Sequence, residues 1–228
     1  GSLWGIRIEG GNKVSVDERM VHDIVQKVMA NMQISGSVSG MHGVFKDMND
    51  AINASIEAQK KVCTMTLDQR EQIISLIRKK THENAEILAN MGVNETGMGN
   101  VGDKILKHHL TADKVPGTED ISTIAWSGDR GLTLVEMGPF GVIGAITPAT
   151  NPSETVICNC IGMLAGGNTV VFNPHPNAKK TTIYTINMIN EASIEAGGPD
   201  NIAVTVEAPT LDTSAIMMKH PSIHLLVA

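Results

Sequence analysis

Two short loops hold the residue types and spacing best suited to chemistry. They are Thr147-Pro148-Ala149-Thr150-Asn151 and Asn173-Pro174-His175-Pro176. Each follows a β-branched run and precedes a helical pattern, so each offers unpaired backbone N–H groups to an anion or a polarised oxygen. The three cysteines fit catalysis less well. A reactive thiol needs access and a lowered pKa, whereas Cys158 and Cys160 lie two apart within a helical pattern and Cys63 follows Lys60-Lys61 late in another. All three read as buried and inert, and the spacing of two is neither a redox pair nor half a zinc site. Among the eight histidines, His108 and His109 are adjacent and point apart, and His22, His42, His82, His220 and His224 are scattered without H-x-x-x-H spacing or an acidic companion. No metal site is expected; only His175 sits in a candidate loop.

The elements that position these loops are strand, helix and strand. Residues 142–146 and 169–172 are apolar β-branched runs, and between them Val156, Ile157, Cys160, Ile161 and Leu164 recur at helical spacing. Ser153 after Pro152 reads as the N-cap, and Gly166-Gly167 stop the helix. Runs apolar on both faces predict parallel strands. Further along, 181–196 is helical, 202–206 a strand, 213–219 a helix and 223–227 a fourth strand, which makes the expected fold α/β: N-terminal helices followed by a parallel open-sheet, Rossmann-like domain. The G-x-G-x-x-G fingerprint is absent after the first strand.

Here the motifs carry a resemblance. PFGVIGAITPATNP followed by LAGGNTVVFNPHP resembles the start of the cofactor domain in the aldehyde dehydrogenase superfamily, commonly P-x-G-V-x-x-x-x-P-W-N-x-P and then A-x-G-N-x-V-V-x-K-P. Ala149-Thr150 in place of Trp, and Asn173-Pro174-His175-Pro176 in place of Lys-Pro-x-Glu, resemble the coenzyme A-acylating branch. That branch oxidises a short-chain aldehyde with NAD and hands the acyl group to coenzyme A through a Cys thioester. The resemblance covers roughly the first half of the family pattern, so the nucleophilic Cys is expected outside residues 1–228 and no turnover is expected from them alone.

Residue by residue, the resemblance implies that Asn151 donates from its amide to the oxyanion of the thiohemiacetal, a task suited to a preorganised neutral donor. Thr147, Pro148, Ala149 and Thr150 would pass the nicotinamide ribose. Asn173 and Pro176 stand where the family's Lys and Glu grip the adenosine ribose, a loosening that fits a pocket which releases NADH and then admits coenzyme A. Pro174 belongs to the same loop, His175 would lie near the adenosine end, and Ala208 and Pro209 would line the adenine slot. Two rival readings stand beside this one: a non-catalytic nucleotide-binding or scaffold module, and a semialdehyde-reductase branch working without coenzyme A.

Composition bounds the rest. With 228 residues, 42% of them apolar, the chain can bury a sizeable core, and with only 3% aromatics that core must be aliphatic, helped by 13 methionines. A formal net charge of −6 argues against a nucleic-acid partner, and Gly and Pro interrupt every apolar run short of a membrane span. Residues 1–14 read as a tag or vector-derived tail. Residues 15–33 form an amphipathic stripe through Val21, Ile24, Val25, Val28, Met29 and Met32, followed by a Gly/Ser linker over 34–43.

The stripe has two readings, folding back on its own domain or docking on a partner. The second resembles the encapsulation segments that direct acylating enzymes to a bacterial microcompartment shell protein, and it implies a cytoplasmic protein held inside such a compartment. Residues 44–137 read as helices, with Val44, Met48, Ala51, Ile52, Ser55 and Ala58 on one face and a start at Thr66, then a half-buried strand over 132–137. By resemblance that strand serves contacts in a homo-oligomer. Glu95, beside a Gly-rich turn, is expected to satisfy backbone rather than to catalyse. Residues 138–228 are the partial dinucleotide-binding domain.

Overall fold

The structure, a computed structural model, describes residues 40–228. The expected tail, the amphipathic helix over 15–33 and most of the linker lie outside the described residues. In chain order the elements are β1 (Val44–Phe45), α1 (Met48–Val62), α2 (Leu67–Thr96), α3 (Val101–Lys114), a hairpin of β2 (Ile124–Gly128) and β3 (Gly131–Val135), β4 (Val142–Thr147), α4 (Pro152–Ala165), β5 (Thr169–Pro174), α5 (Lys179–Glu195), β6 (Ala203–Val206), α6 (Leu211–Lys219) and β7 (Ile223–Val227).

Five strands form one parallel sheet in the order β1-β6-β5-β4-β7. The chain steps from β4 through β5 to β6 in one direction, then returns so that β7 pairs with the other side of β4. This reversal creates a topological switch point at β4, and ligands of such sheets bind outside the carboxyl ends of the strands there. The α/β expectation is met.

Helices cover both faces of the sheet. Ile73, Ile74, Ile77 and Leu88 of α2, Val156, Ile157 and Ile161 of α4, and Ile186 and Ile189 of α5 pack on Ala145, Val170, Phe172 and Ala203. On the opposite face Met48, Ala51 and Ile52 of α1 and Met217 of α6 pack on Val142, Val171, Val204 and Val206. Residues alternate between these layers along each strand, which is why β5 is buried along its full length.

Several expectations need correction. Val44 is not on a helix face: it pairs with Thr205 as a strand, because the Asp47 carboxylate accepts from Asn49 N and Asp50 N and starts α1 only at Met48. Ser153 is not the N-cap of α4; Asn151 holds that place with Pro152 at the first helical position. The end of the expected linker is fastened, since His42 N donates to Asn187 Oδ1 and the His42 ring meets Asp200 at 2.8 Å. Gly43 in that stretch has φ +76°, and a Cβ there would overlap Asn190 Nδ2 and the Ala203 carbonyl, so only glycine fits.

The strand over 132–137 has a partner that the sequence did not reveal, β2, and every residue of β2 and β3 is exposed rather than half-buried. The start at Thr66 is a full capping box with Gln69. Glu95, at the end of α2, accepts from Lys180 N, Thr181 N and Thr181 Oγ1, which caps α5.

Candidate active site

The carboxyl ends of β4, β5 and β6 lie side by side and bring the three expected segments to one edge. Thr147 is the register partner of Pro174, and the Thr147 carbonyl accepts from His175 N at 3.0 Å, which ties the first loop to the second. Ala208 and Pro209 follow β6, with Ala208 exposed and Pro209 buried. Pro148 and Thr150 are exposed and Ala149 partly so. Thr147 Oγ1 is buried and finds no partner among the described residues, an unpaired polar atom at the switch point.

Asn173 at the end of β5 is engaged within the protein. It is buried, its Oδ1 accepts from Thr213 Oγ1 at 2.7 Å, and its Nδ2 reaches the Thr210 carbonyl at 3.4 Å. Its amide thus ties the strand end to the start of α6. His175 is exposed and its Nδ1 accepts from Asn177 N within the same turn.

On the other side of the edge, α3 and α4 frame a cavity of about 320 Å³ lined by Lys107, Thr111, Asn151, Glu154, Thr155 and Cys158 among others. Asn151 presents its side chain here, with Oδ1 accepting from Lys107 Nζ at 3.2 Å. Beneath it runs a polar network that the sequence reading missed. Lys104 Nζ donates to the Thr150 carbonyl at 2.9 Å and pairs with Glu154 Oε1 at 3.2 Å. His108 Nδ1 donates to the Lys104 carbonyl at 2.7 Å, and its Nε2 meets Ser153 Oγ at 2.8 Å.

Burial pushes the His108 pKa below its ordinary value, against the opposing pull of the Glu154 charge. The neutral ring donates through Nδ1 and accepts the Ser153 hydroxyl proton at Nε2. The available sequence signal was the placing of Lys104 and His108 four apart on one face of α3.

Two cysteine expectations are overturned: Cys63 and Cys158 are exposed, and only Cys160 is buried. Burial of part of its surface still raises the Cys158 thiol pKa, and full burial raises that of Cys160 far more. Cys63 lies at the opposite, amino edge of the sheet, where neighbouring Gln59 donates to the Gly167 carbonyl just before β5. Histidines with acidic companions exist after all, His82 with Asp113 and His42 with Asp200. Among the described residues no group of three or more His, Cys, Asp or Glu could hold a metal ion, and no helix is long and apolar enough to cross a membrane.

A switch-point edge with one open amide beside a cavity is shared by many α/β proteins, and sequence comparison decides among them. The aldehyde dehydrogenase family model matches residues 17–228. The chain belongs to the aldehyde dehydrogenase family. An acetaldehyde dehydrogenase (acetylating) of Bilophila wadsworthia is 45% identical over 219 residues, covering 92% of this chain and 45% of that relative. A propionaldehyde dehydrogenase from the fucose utilisation bacterial microcompartment of Clostridium phytofermentans superposes with a TM-score of 0.81 at 70% identity, covering 82% of this chain and 43% of that one. The propionaldehyde dehydrogenase of Rhodopseudomonas palustris with bound propionyl-CoA gives 0.79 at 45% identity, covering 82% of this chain and 42% of that one. This aldehyde dehydrogenase chain thus resembles an acetylating relative and two propionaldehyde dehydrogenases, one of them with propionyl-CoA bound, and spans less than half the length of each.

Proposed function

We propose that this chain is the N-terminal part of an enzyme that converts a short-chain aldehyde, NAD and coenzyme A into acyl-CoA and NADH. The observation that carries the reading is Asn151, held at the mouth of a cavity with its amide oxygen engaged by Lys107. In this reading a Cys thiolate adds to the aldehyde carbonyl in that cavity, and the Asn151 NH₂ group donates to the oxyanion that forms. NAD held at this edge would supply the hydride acceptor, leaving the acyl group as a Cys thioester; the coenzyme A thiol would attack that thioester, forming the acyl-CoA C–S bond as the bond to the Cys sulfur breaks and the Cys thiol leaves.

The residues at the edge fit the cofactor in part. Exposed Pro148 and Thr150, the partly exposed Ala149 and the Ala208-Pro209 turn would line the nucleotide, with the unpartnered Thr147 hydroxyl buried behind them. Asn173, occupied by Thr213, gives the adenosine ribose no firm grip, in keeping with a pocket shared in turn by NADH and coenzyme A. His175, exposed with its Nδ1 engaged by Asn177 N, would meet the adenosine end.

The nucleophile is proposed to lie outside this chain, a reading supported by the burial of Cys160, by the partial burial that works against the Cys158 thiolate, and by the position of Cys63 at the amino edge of the sheet. Residues 15–33 are proposed to dock on a microcompartment shell protein, by analogy with the microcompartment relative. The exposed hairpin is proposed to pair copies in a homo-oligomer. The test is NADH formation from propanal, with and without coenzyme A, by a polypeptide carrying this chain together with the rest of the enzyme. Coenzyme A-dependent turnover supports the reading; equal turnover without coenzyme A refutes the acylating assignment. Loss of co-localisation with shell proteins on deleting 15–33 tests the docking segment, and unchanged co-localisation refutes it.

A further inference from the structure

Two lysines on α3 hold the end of the first loop from two sides. Lys104, buried, takes the Thr150 carbonyl at 2.9 Å and has its charge balanced by Glu154. Lys107, one turn further on, is exposed and forms no ion pair among the described residues. Its Nζ instead stands 3.2 Å from Asn151 Oδ1.

An ammonium has three donors and no acceptor. The contact therefore settles which end of the amide is which: the oxygen faces Lys107, and the NH₂ group faces away from it. No described residue takes those two hydrogens. A carbonyl oxygen that accepts from a cation also polarises its amide and strengthens the N–H donors on the same group. One residue thus sets both the direction and the strength of the donor, while Lys104 fixes the backbone that carries it.

We propose that Lys107 is a positioning residue, orienting and polarising the Asn151 amide toward the reacting carbonyl oxygen. This rests on the reading of Asn151 as the oxyanion donor. The free charge of Lys107 has no other described partner, and its stem lines the same cavity as Asn151, Thr155 and Cys158.

The test compares Lys107→Met, which keeps the stem and removes the donor, with Lys107→Arg, which keeps a donor, in the whole enzyme. Lys107→Met is expected to lower kcat about tenfold, a fraction of what loss of an entire oxyanion donor costs. KM for aldehyde and NAD and the melting midpoint stay unchanged, and Lys107→Arg recovers most of the rate. An unchanged kcat in Lys107→Met, or a loss that Lys107→Arg does not recover, overturns the proposal. A second arm needs no turnover: the side-chain ¹⁵N–¹H resonances of Asn151 in this chain should move in Lys107→Met and stay near their wild-type positions in Lys107→Arg. Unmoved resonances in Lys107→Met overturn the positioning role. A whole enzyme that makes no acyl-CoA while these resonances move overturns the functional reading instead.

Discussion

Lys104 and Glu154 form an ion pair at 3.2 Å with side chains only 4% and 8% exposed, joining α3 to α4 directly under the Thr150 carbonyl. Two charges removed from water gain little net stability over apolar residues of the same volume, but stranding one of them is costly. Lys104→Met and Glu154→Leu should therefore each destabilise by about 3–5 kcal/mol, whereas the double variant should lose far less than the sum. Urea denaturation of the four proteins in the cycle measures this. Additive losses would mean that the pair is not coupled.

Glu95 ends α2 and caps α5 across a gap of 85 residues. Replacing it with Ala leaves two backbone N–H groups of α5 without their acceptor, at a cost of about 1–2 kcal/mol. Nucleotide affinity, read by titration calorimetry, should not change. A collapse of affinity with intact stability would instead give Glu95 a part in the site.

The sheet and its helices were legible in the sequence because their signals are local. Runs apolar on both faces mark β4 and β5, period 3.6 marks α4 and α5, and Thr66 marks the start of α2. Local reading failed where two signals competed: Val44 lies four before Met48, a helical interval, yet Asp47 caps between them. It failed wholly for the polar network, since Lys104 finds Glu154 fifty residues away and His108 finds Ser153 forty-five away. The site residues carried over by resemblance lie together at the carboxyl edge of the sheet, but the occupation of Asn173 by Thr213 depends on α6 folding back, which no motif announces.

His108 makes stability depend on pH in one direction. Its folded-state pKa lies below the ordinary value of 6.5, so the stability linked to its neutral form is complete above 6.5 and is lost as pH falls through the folded-state value. Lys104 and His109 oppose its protonation, while Glu154 favours it. One proton contributes a slope of at most about 1.4 kcal/mol per pH unit. In denaturation between about pH 5 and 7, wild type should lose stability on acidification more steeply than His108→Gln. Parallel curves would mean that His108 is not the group responsible.

The β2–β3 hairpin carries Ile124, Trp126 and Val135 on one face and Leu132 and Leu134 on the other, all more than 40% exposed. A two-stranded ribbon is marginal alone in water, and apolar area of this size open on both faces favours a partner. If that partner is a second copy, changing Trp126 and Leu134 together to Lys places charge on both faces and should shift the sedimentation coefficient to that of a smaller species. The core, which lies in other layers, should keep its melting midpoint within a few degrees of wild type, about what a 1 kcal/mol change produces. Wild-type protein sedimenting as a monomer at high concentration would remove the hairpin from consideration as a self-association surface.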